Sequence, residues 1–246
     1  AKMLPSLDFM RIDEEKMADT KYISDHIENV IADTGEATYY ITQGYICRNA
    51  NGNIDNLQRG GSDYTASLIG AAIDADEIQI WTDIDGFHNN DPRYVENTQK
   101  IDRLSFYEAA ELAYFGAKIL HPQTVFPARV QDIPVRLKNT LNPDDMGTLI
   151  TSETTGKGIK AVAAKDGITA VKIRSDRMLM AYGFLKSVFK VFEKYRTPID
   201  MISTSEVALS LTIDNTDHLR SIHDELDKYG TVEIDRNMTI VCIVGD

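Results

Sequence analysis

The feature that most limits what this chain can fold into is a change of texture past its middle. Residues 147–158 read Gly-Thr-Leu-Ile-Thr-Ser-Glu-Thr-Thr-Gly-Lys-Gly, a stretch of linker character. Charge changes across it. Residues 1–150 carry 13 basic and 24 acidic residues, a net of −11, whereas residues 151–246 carry 13 and 14, a net of −1. A 246-residue chain divided in this way is expected to form two domains, 1–150 and 151–246.

After the linker, residues 167–173 alternate as a strand. Phe184, Val188, Val191, Phe192 and Tyr195 then fall at helical spacing, the pattern of an amphipathic helix. Residues 198–202 and 207–213 read as strands, 218–229 as a helix and 238–244 as a last strand. The order βαββαβ predicts a ferredoxin-like unit, a fold that hosts many functions and by itself names none.

Before the linker, residues 1–36 read as a helical or irregular lead-in. Residues 38–46 are β-branched and aromatic and predict a strand, with Asn51-Gly52 as a hairpin tip. Arg59-Gly60-Gly61-Ser62-Asp63-Tyr64-Thr65-Ala66 opens a small-residue helix reaching about residue 75. Residues 77–81 predict a strand that leaves through Thr82-Asp83-Ile84-Asp85-Gly86. A helix over 105–120 and a strand over 133–137 follow. Strands alternating with helices imply an α/β domain with a mostly parallel, helix-covered sheet.

Composition removes several classes of function. At 43% hydrophobic and 26% charged, the chain is an ordinary globular sequence. It has no apolar run long enough to span a membrane and does not open with a secretory signal, so a cytoplasmic protein is expected. The net charge of −12 argues against non-specific nucleic-acid or anionic-membrane binding. Cys47 and Cys242 lie far apart without a CxxC pair, the pattern of two reduced, buried thiols rather than a zinc site or disulfide. His218 and His223, five apart, do not share a helical face, so no metal site is expected.

Three places have residues suited to chemistry. The glycines of 59–66 let backbone approach a ligand, and the following helix N-terminus offers unpaired N–H groups to an anion. Arg59 suits bidentate recognition of a carboxylate or phosphate. Ser62 or Asp63 as a plain helix cap explains the same residues structurally. The turn from Thr82 to Gly86, continuing to Asp91-Pro92-Arg93, leaves the carboxyl end of a strand, where α/β sheets bind ligands. Asp83-x-Asp85 is no calcium loop, because His88 and Tyr94 stand where glycine and glutamate belong; a solvated acidic turn is its plain reading. Lys118 lies near a predicted helix C-terminus, where a lysine normally just meets the dipole. No GxGxxG or GxSxG occurs, and the Gly156-Lys157 pair lacks the first Gly and the final Ser/Thr of a Walker motif.

Taken together, Thr42–Ile46 (TQGYI), RGGSDYTA, WTDIDG with DPR, Glu108–Pro122 (EAAELAYFGAKILHP) and Ile133–Thr140 (IPVRLKNT) occur in an order that resembles aspartate kinase, of the amino-acid kinase family. The second half resembles its ACT regulatory region, with Gly183-Phe184-Leu185 and Thr204-Ser205-Glu206-Val207 in place. The resemblance runs from about residue 38 to the end. It implies ATP-dependent phosphorylation of the β-carboxylate of L-aspartate, with Mg²⁺ arriving on ATP. By similarity, Arg59, Ser62 and Asp63 would hold aspartate. Thr82 and Asp83 would contact the nucleotide, Arg93 its phosphates, and Lys118 a phosphate on the transferred-group side. His88 stands at a nucleotide position usually aromatic. Effector positions would be Met178, Ala181, Gly183, Phe184, Leu185, Ile199, Asp200, Ser205 and Glu206, binding an inhibitory amino acid (lysine or threonine) between two ACT units of a homodimer. Asp200 and Glu206 suit an ammonium group; core packing is the plain reading of Met178, Phe184, Leu185 and Ile199.

The resemblance also implies parts this sequence lacks, namely a KFGGTS strand and loop and a second ACT unit. Residues 160–164 would be a strand belonging with that second unit. The chain therefore reads as an excerpt of a longer enzyme, residues 1–150 being the nucleotide-side part of the kinase domain, and is expected to be inactive alone. Two alternatives stay open: a non-catalytic amino-acid sensor, or the kinase part of a fusion with homoserine dehydrogenase.

Overall fold

The structure, a computed structural model, describes residues 1–58, 60–117, 120–153, 156–175 and 182–245. It divides into two compact units, Ala1–Ala163 with Cys242–Asp246, and Ala164–Val241. The division falls past the Gly/Thr/Ser stretch because residues 148–151 of that stretch are a paired sheet strand of the first unit.

In the first unit, β1 (Lys2–Leu4) pairs in parallel with β2 (Tyr40–Thr42). Between them lies α1 (Thr20–Thr34), whose first turn is capped by the Asp19 carboxylate accepting from the Tyr22 N–H at 3.1 Å. β3 (Ile46–Arg48) and β4 (Ile54–Asn56) form an antiparallel hairpin, with Gly52 at positive φ in its tip, as the Asn51-Gly52 pair predicts. The expected single strand over 38–46 is broken at Gln43-Gly44-Tyr45. Tyr45 has φ 72°, which turns the chain, and its N–H donates to Thr65 Oγ1 at 3.0 Å.

The main sheet has the order β5-β7-β8-β6, from β5 (Ile78–Thr82), β6 (Arg103–Ser105), β7 (Val135–Asn139) and β8 (Thr148–Thr151). β5 and β7 are parallel, as are β6 and β8, and the two pairs meet antiparallel at β7–β8. Ile78, Ile80, Leu104, Val135, Leu137 and Ile150 point into the core. Helix α2 (Gly61–Ala72) precedes β5, and α4 (Pro122–Val130) precedes β7. The expected helix over 105–120 begins as α3 (Phe106–Leu112), with a capping box between Ser105 and Glu108. It then loosens into a π-helical turn, Ala113–Ala117. There Gly116 lies so close to Ala163 that an added Cβ would come within 2.8 Å of the Ala163 Cβ.

The second unit is the predicted βαββαβ arrangement. Its sheet order is β10-β11-β9-β12, built from β9 (Ile159–Arg174), β10 (Met201–Thr204), β11 (Ala208–Ile213) and β12 (Thr231–Gly245), with α5 (Phe184–Lys194) and α6 (Leu219–Leu226). Val171, Ile173, Leu209, Leu211 and Ile213 pack against Val188, Val191, Phe192, Ile222 and Leu226, as the periodicities require. β10 starts three residues later than expected, α6 is shorter, and β12 begins at Thr231 rather than Met238. The last extension is polar, Lys172 of β9 pairing with Asp235 at 2.6 Å, so apolar alternation alone does not reveal it. Residues 160–164 form the start of β9.

Candidate functional site

The first unit brings its candidate residues to one edge of the sheet. The end of α2 packs on the start of β5: a Cβ on Gly70 would lie 2.4 Å from Ile78 Cγ1. The 12-residue helix, about 18 Å long at ~1.5 Å per residue, therefore runs back along β5 and sets its N-terminus at the strand's carboxyl end. The same logic applies to α4, which ends with Ile133 N–H donating to Ala128 O at 2.9 Å just before β7. Since Thr82 pairs with Asn139 across β5 and β7, Gly60–Asp63, Thr82–Asp83, His121–Thr124 and Asn139–Thr140 share that edge.

Gly60 and Gly61 make this convergence sterically feasible. Gly60 is the N-cap of α2 at φ 71°, and a Cβ there would lie 2.9 Å from His121 Cβ. A Cβ on Gly61 would lie 2.6 Å from Tyr45 Cδ2. The cap makes no side-chain hydrogen bond, so the expectation that Ser62 or Asp63 caps α2 is overturned. Both lie inside the first turn, where backbone N–H groups lack intrahelical acceptors. Ser62 is exposed, and burial pushes the Asp63 carboxyl above its usual range. Arg59 and Lys118 lie outside the described residues.

The turn after β5 is tightly built. Thr82 Oγ1 donates to Asp83 Oδ1 at 3.1 Å, and the Thr140 N–H donates to Thr82 O at 2.8 Å. The chain then folds over β8: the Phe87 N–H donates to Thr148 Oγ1 at 2.9 Å, and that hydroxyl donates to Ile101 O at 2.7 Å. His88 is engaged at both ring nitrogens, with Asp85 and Thr98, each at 2.8 Å. It therefore fastens the loop. The exposed Arg93 guanidinium grips Asp91, Nε at 3.0 Å from both carboxylate oxygens; this hydrogen bonding holds the Asp91 carboxyl below its usual range. Among the described residues, no group of three or more His, Cys, Asp or Glu could hold a metal ion.

The expected effector residues separate into two groups. Gly183 (φ 85°) caps α5, and Phe184 meets Tyr229 edge-on at 6.5 Å, at the carboxyl end of β9. Ser205, whose N–H donates to Ala208 O at 2.8 Å, lies at that end, because Ala208 pairs with Arg174; Glu206 follows it, exposed. Ile199 and Asp200 lie at the other end, before β10. Five residue steps from Asp200 to Ser205 span about 17 Å at ~3.3 Å each, more than one amino acid covers. Phe184 is buried in the core, Ile199 packs against it and Leu185 is exposed. Met178 and Ala181 lie outside the described residues.

Comparison with known proteins fixes the family. Residues 3–139, more than half of the chain, match the amino acid kinase family. The chain belongs to the amino acid kinase family. Its similarity to individual relatives extends beyond that segment. It is 42% identical over 204 residues to chloroplastic aspartokinase 3 of Arabidopsis thaliana, covering 78% of this chain and 36% of that protein. The structure of E. coli aspartokinase III in complex with aspartate and ADP (R-state) aligns with a TM-score of 0.85 at 35% identity, over 99% of this chain and 57% of that one. The complex of E. coli aspartokinase III with lysine and aspartate (T-state) aligns at 0.78 and 34%, over 100% and 57%. This amino-acid-kinase chain thus spans between about a third and three fifths of these relatives.

Sequence reasoning missed two features. His121 is the N-cap of α4, its Nδ1 accepting from the Gln123 N–H at 3.4 Å, and it packs against Gly60; its position directly before Pro122 was the readable signal. Lys160 pairs with the buried Glu108 at 2.8 Å, a long-range contact with no local sequence signature. No helix among the described residues is long and apolar enough to cross a membrane. Cys47 is buried and Cys242 half-exposed, so only one of the two expected buried thiols is buried.

Proposed function

We propose that this chain supplies the aspartate- and nucleotide-facing part of an aspartate kinase, which transfers the γ-phosphoryl group of ATP to the β-carboxylate of L-aspartate. Residues 1–150 belong to the kinase domain, and residues 151–246 provide the linker strand and an ACT-type sensing unit. The supporting observation is the convergence of α2's uncapped N-terminus with the ends of β5 and β7. An anionic substrate there meets backbone N–H groups and the helix dipole, beside a strand end open to a nucleotide. The aspartate and ADP held by the similar E. coli enzyme support the same ligands here.

Each residue then has a distinct task. Ser62 and Asp63, with Arg59, hold aspartate, the Asp63 carboxylate taking its ammonium. Thr82 and Asp83 meet the nucleotide, and His88 keeps their loop in shape. Arg93 and Lys118 face phosphates; Arg93 must leave Asp91 to do so. Mg²⁺ travels with ATP, carried mostly by phosphate oxygens, and neutralises charge there. The protein's own part is positioning and charge stabilisation, which phosphoryl transfer chiefly requires.

The ACT-type unit senses an end-product amino acid. Because its candidate residues lie at two ends of one sheet, the effector sits between two copies of the chain, one giving Gly183–Leu185 and the other Asp200. Cytoplasmic location and a role in lysine or threonine biosynthesis follow from this reading. Calorimetric titration with Mg·ADP and L-aspartate tests it. Both should bind, and Ser62→Ala and Asp63→Asn should weaken aspartate at least tenfold while leaving Mg·ADP within twofold. Absence of aspartate binding at millimolar concentration would overturn the assignment.

A further inference from the structure

β9 begins inside the first unit. Residues 159–163 belong to that unit, and the same strand runs on to Arg174 in the sheet of the second. The end of β12, from Cys242 on, also belongs to the first unit and neighbours β9. A Cβ on Gly245 would come within 2.1 Å of Gly158 O. The residues just past the stretch of linker character are therefore held strand rather than tether.

Three residues of this segment each hold a different part of the first unit. Lys160 pairs with Glu108 near the start of α3, at 2.8 Å. The Val162 N–H donates to Asn89 O at 2.8 Å. Asn89 follows His88 in the loop after β5 and is tied across that loop. Its N–H donates to Gln99 O, and its Oδ1 accepts from the Gln99 N–H, both at 2.9 Å. Ala163 is buried and sets its methyl against Gly116 of the π-helical turn, where a Cβ would lie 2.8 Å from the Ala163 Cβ. One strand thus touches the loop that follows Thr82-Asp83 and the turn that precedes Lys118.

A π-helical turn is rare, and its surroundings must favour it over the α-helix it interrupts. Ala163 is such a surrounding at Gly116. Lys118 follows Gly116 by two residues, at most about 7 Å of chain, so a displaced turn displaces the attachment of that lysine. We infer that Ala163 is a positioning residue of the nucleotide site: the start of β9 holds the loop after β5 and the π-helical turn at one spacing, and nucleotide affinity depends on that spacing. This rests on the nucleotide reading above and carries the site's support past residues 3–139, the segment that matches the family. Ser62 and Asp63, on α2, have no part in the contact.

The test is calorimetric titration of the full chain with Mg·ADP, and separately with L-aspartate, at a temperature where circular dichroism shows every variant folded. In Gly116→Ala the new Cβ must gain about 1 Å to reach the ~3.5–4.0 Å of packed carbons. Mg·ADP should weaken at least about fivefold, less than the loss of one whole hydrogen bond to a charged group, while L-aspartate stays within twofold. Adding Ala163→Gly removes the obstructing methyl and leaves the new Cβ 3.5 Å from the Cα of residue 163, so the double variant should return to within twofold of wild type for Mg·ADP. A contact that serves only stability would lower the melting temperature of Gly116→Ala and leave its Mg·ADP affinity at the wild-type value. That result, or a double variant that fails to recover, overturns the inference. If Gly116→Ala does not fold, Ala163→Gly decides alone: loosening the turn should weaken Mg·ADP about twofold to threefold, and wild-type affinity would sink the idea. Failure of the unsubstituted chain to bind Mg·ADP would instead remove the nucleotide reading, and the positioning role with it.

Discussion

Substitution of Gly60 by alanine tests whether the sheet-edge site is built as described. Two costs add. At φ +71° an alanine sits in the left-handed region, worth about 1 kcal/mol against glycine. Its Cβ would also lie 2.9 Å from His121 Cβ and 3.2 Å from Thr124 Cγ2, inside the ~3.5–4.0 Å separation of packed carbons. His121 Cβ is fixed by its own backbone at the start of α4, so the clash cannot be relieved by a side-chain rotation. Overpacking of this kind costs about 1–3 kcal/mol, giving a total of roughly 2–4 kcal/mol.

Gly52→Ala separates the two contributions. Its φ of +80° imposes the same conformational cost, but nothing lies within 4 Å of the added Cβ. Trp81, the only tryptophan, lies in β5, so its fluorescence reports the first unit alone during heating. At about 2–4 °C per kcal/mol, the packing cost of about 1–3 kcal/mol should make Gly60→Ala melt roughly 2–12 °C below Gly52→Ala. It should also weaken Mg·ADP and aspartate, because α4 must move away from α2. Equal melting temperatures for the two variants would refute the packing argument.

Other consequences follow from buried charge and thiol chemistry. Lys160→Met leaves the Glu108 carboxylate buried without its ammonium and should destabilise the first unit by about 3–5 kcal/mol in urea melts followed at Trp81. Burial alone would raise the Glu108 carboxyl, yet Lys160 and the Ser105 N–H outweigh it and hold the group below its usual range. Its stabilisation is thus present above the ordinary carboxylate pKa and is lost as pH falls through the lower folded value. Between pH 5 and pH 3 the wild type should lose more stability than Glu108→Gln, as melting curves at each pH will show. Cys47 is buried, and desolvation, with Asp55 nearby, pushes its thiol up to about 11. A disulfide reagent at pH 8 should count one slowly reacting thiol, Cys242, in the native chain and a second only after unfolding.

The second unit was the more legible half. Its helices are short and strongly amphipathic, and its strands alternate, so periodicity alone placed Phe184, Val188, Val191 and Phe192 against β9 and β11. The first unit was less so, because its deviations come from tertiary packing. Residues 38–46 have strand composition throughout, yet Tyr45 turns the chain so that Gly44 and Tyr45 can lie against the first turn of α2. The 3–4 spacing over 105–120 is that of a continuous α-helix, and it carries no sign of the π-helical turn at Ala113–Ala117. Nothing in that spacing anticipates Ala163 against Gly116.

The corrected capping of α2 bears directly on function. Ser and Asp are the residues that normally close a helix start, and the composition of 59–66 accordingly supports a purely structural reading. In the structure the chain enters α2 through Gly60, with no side chain at the cap. The hydroxyl of Ser62 and the carboxyl of Asp63 therefore do not spend their hydrogen-bonding capacity on the helix cap. A helix that starts at glycine forgoes roughly a few tenths of a kcal/mol against a Ser, Asn or Asp cap, and such a cost is sustainable where another partner answers the first-turn N–H groups. In the function proposed above, an anionic substrate is that partner. Installing a cap separates the two readings: Gly60→Asn, which tolerates the left-handed conformation better than alanine, offers α2 a cap oxygen. Compared with Gly60→Ala, it should recover stability while leaving aspartate binding impaired, because the cap competes for the same N–H groups. Recovery of both together would mean that the open helix start has no part in holding the substrate.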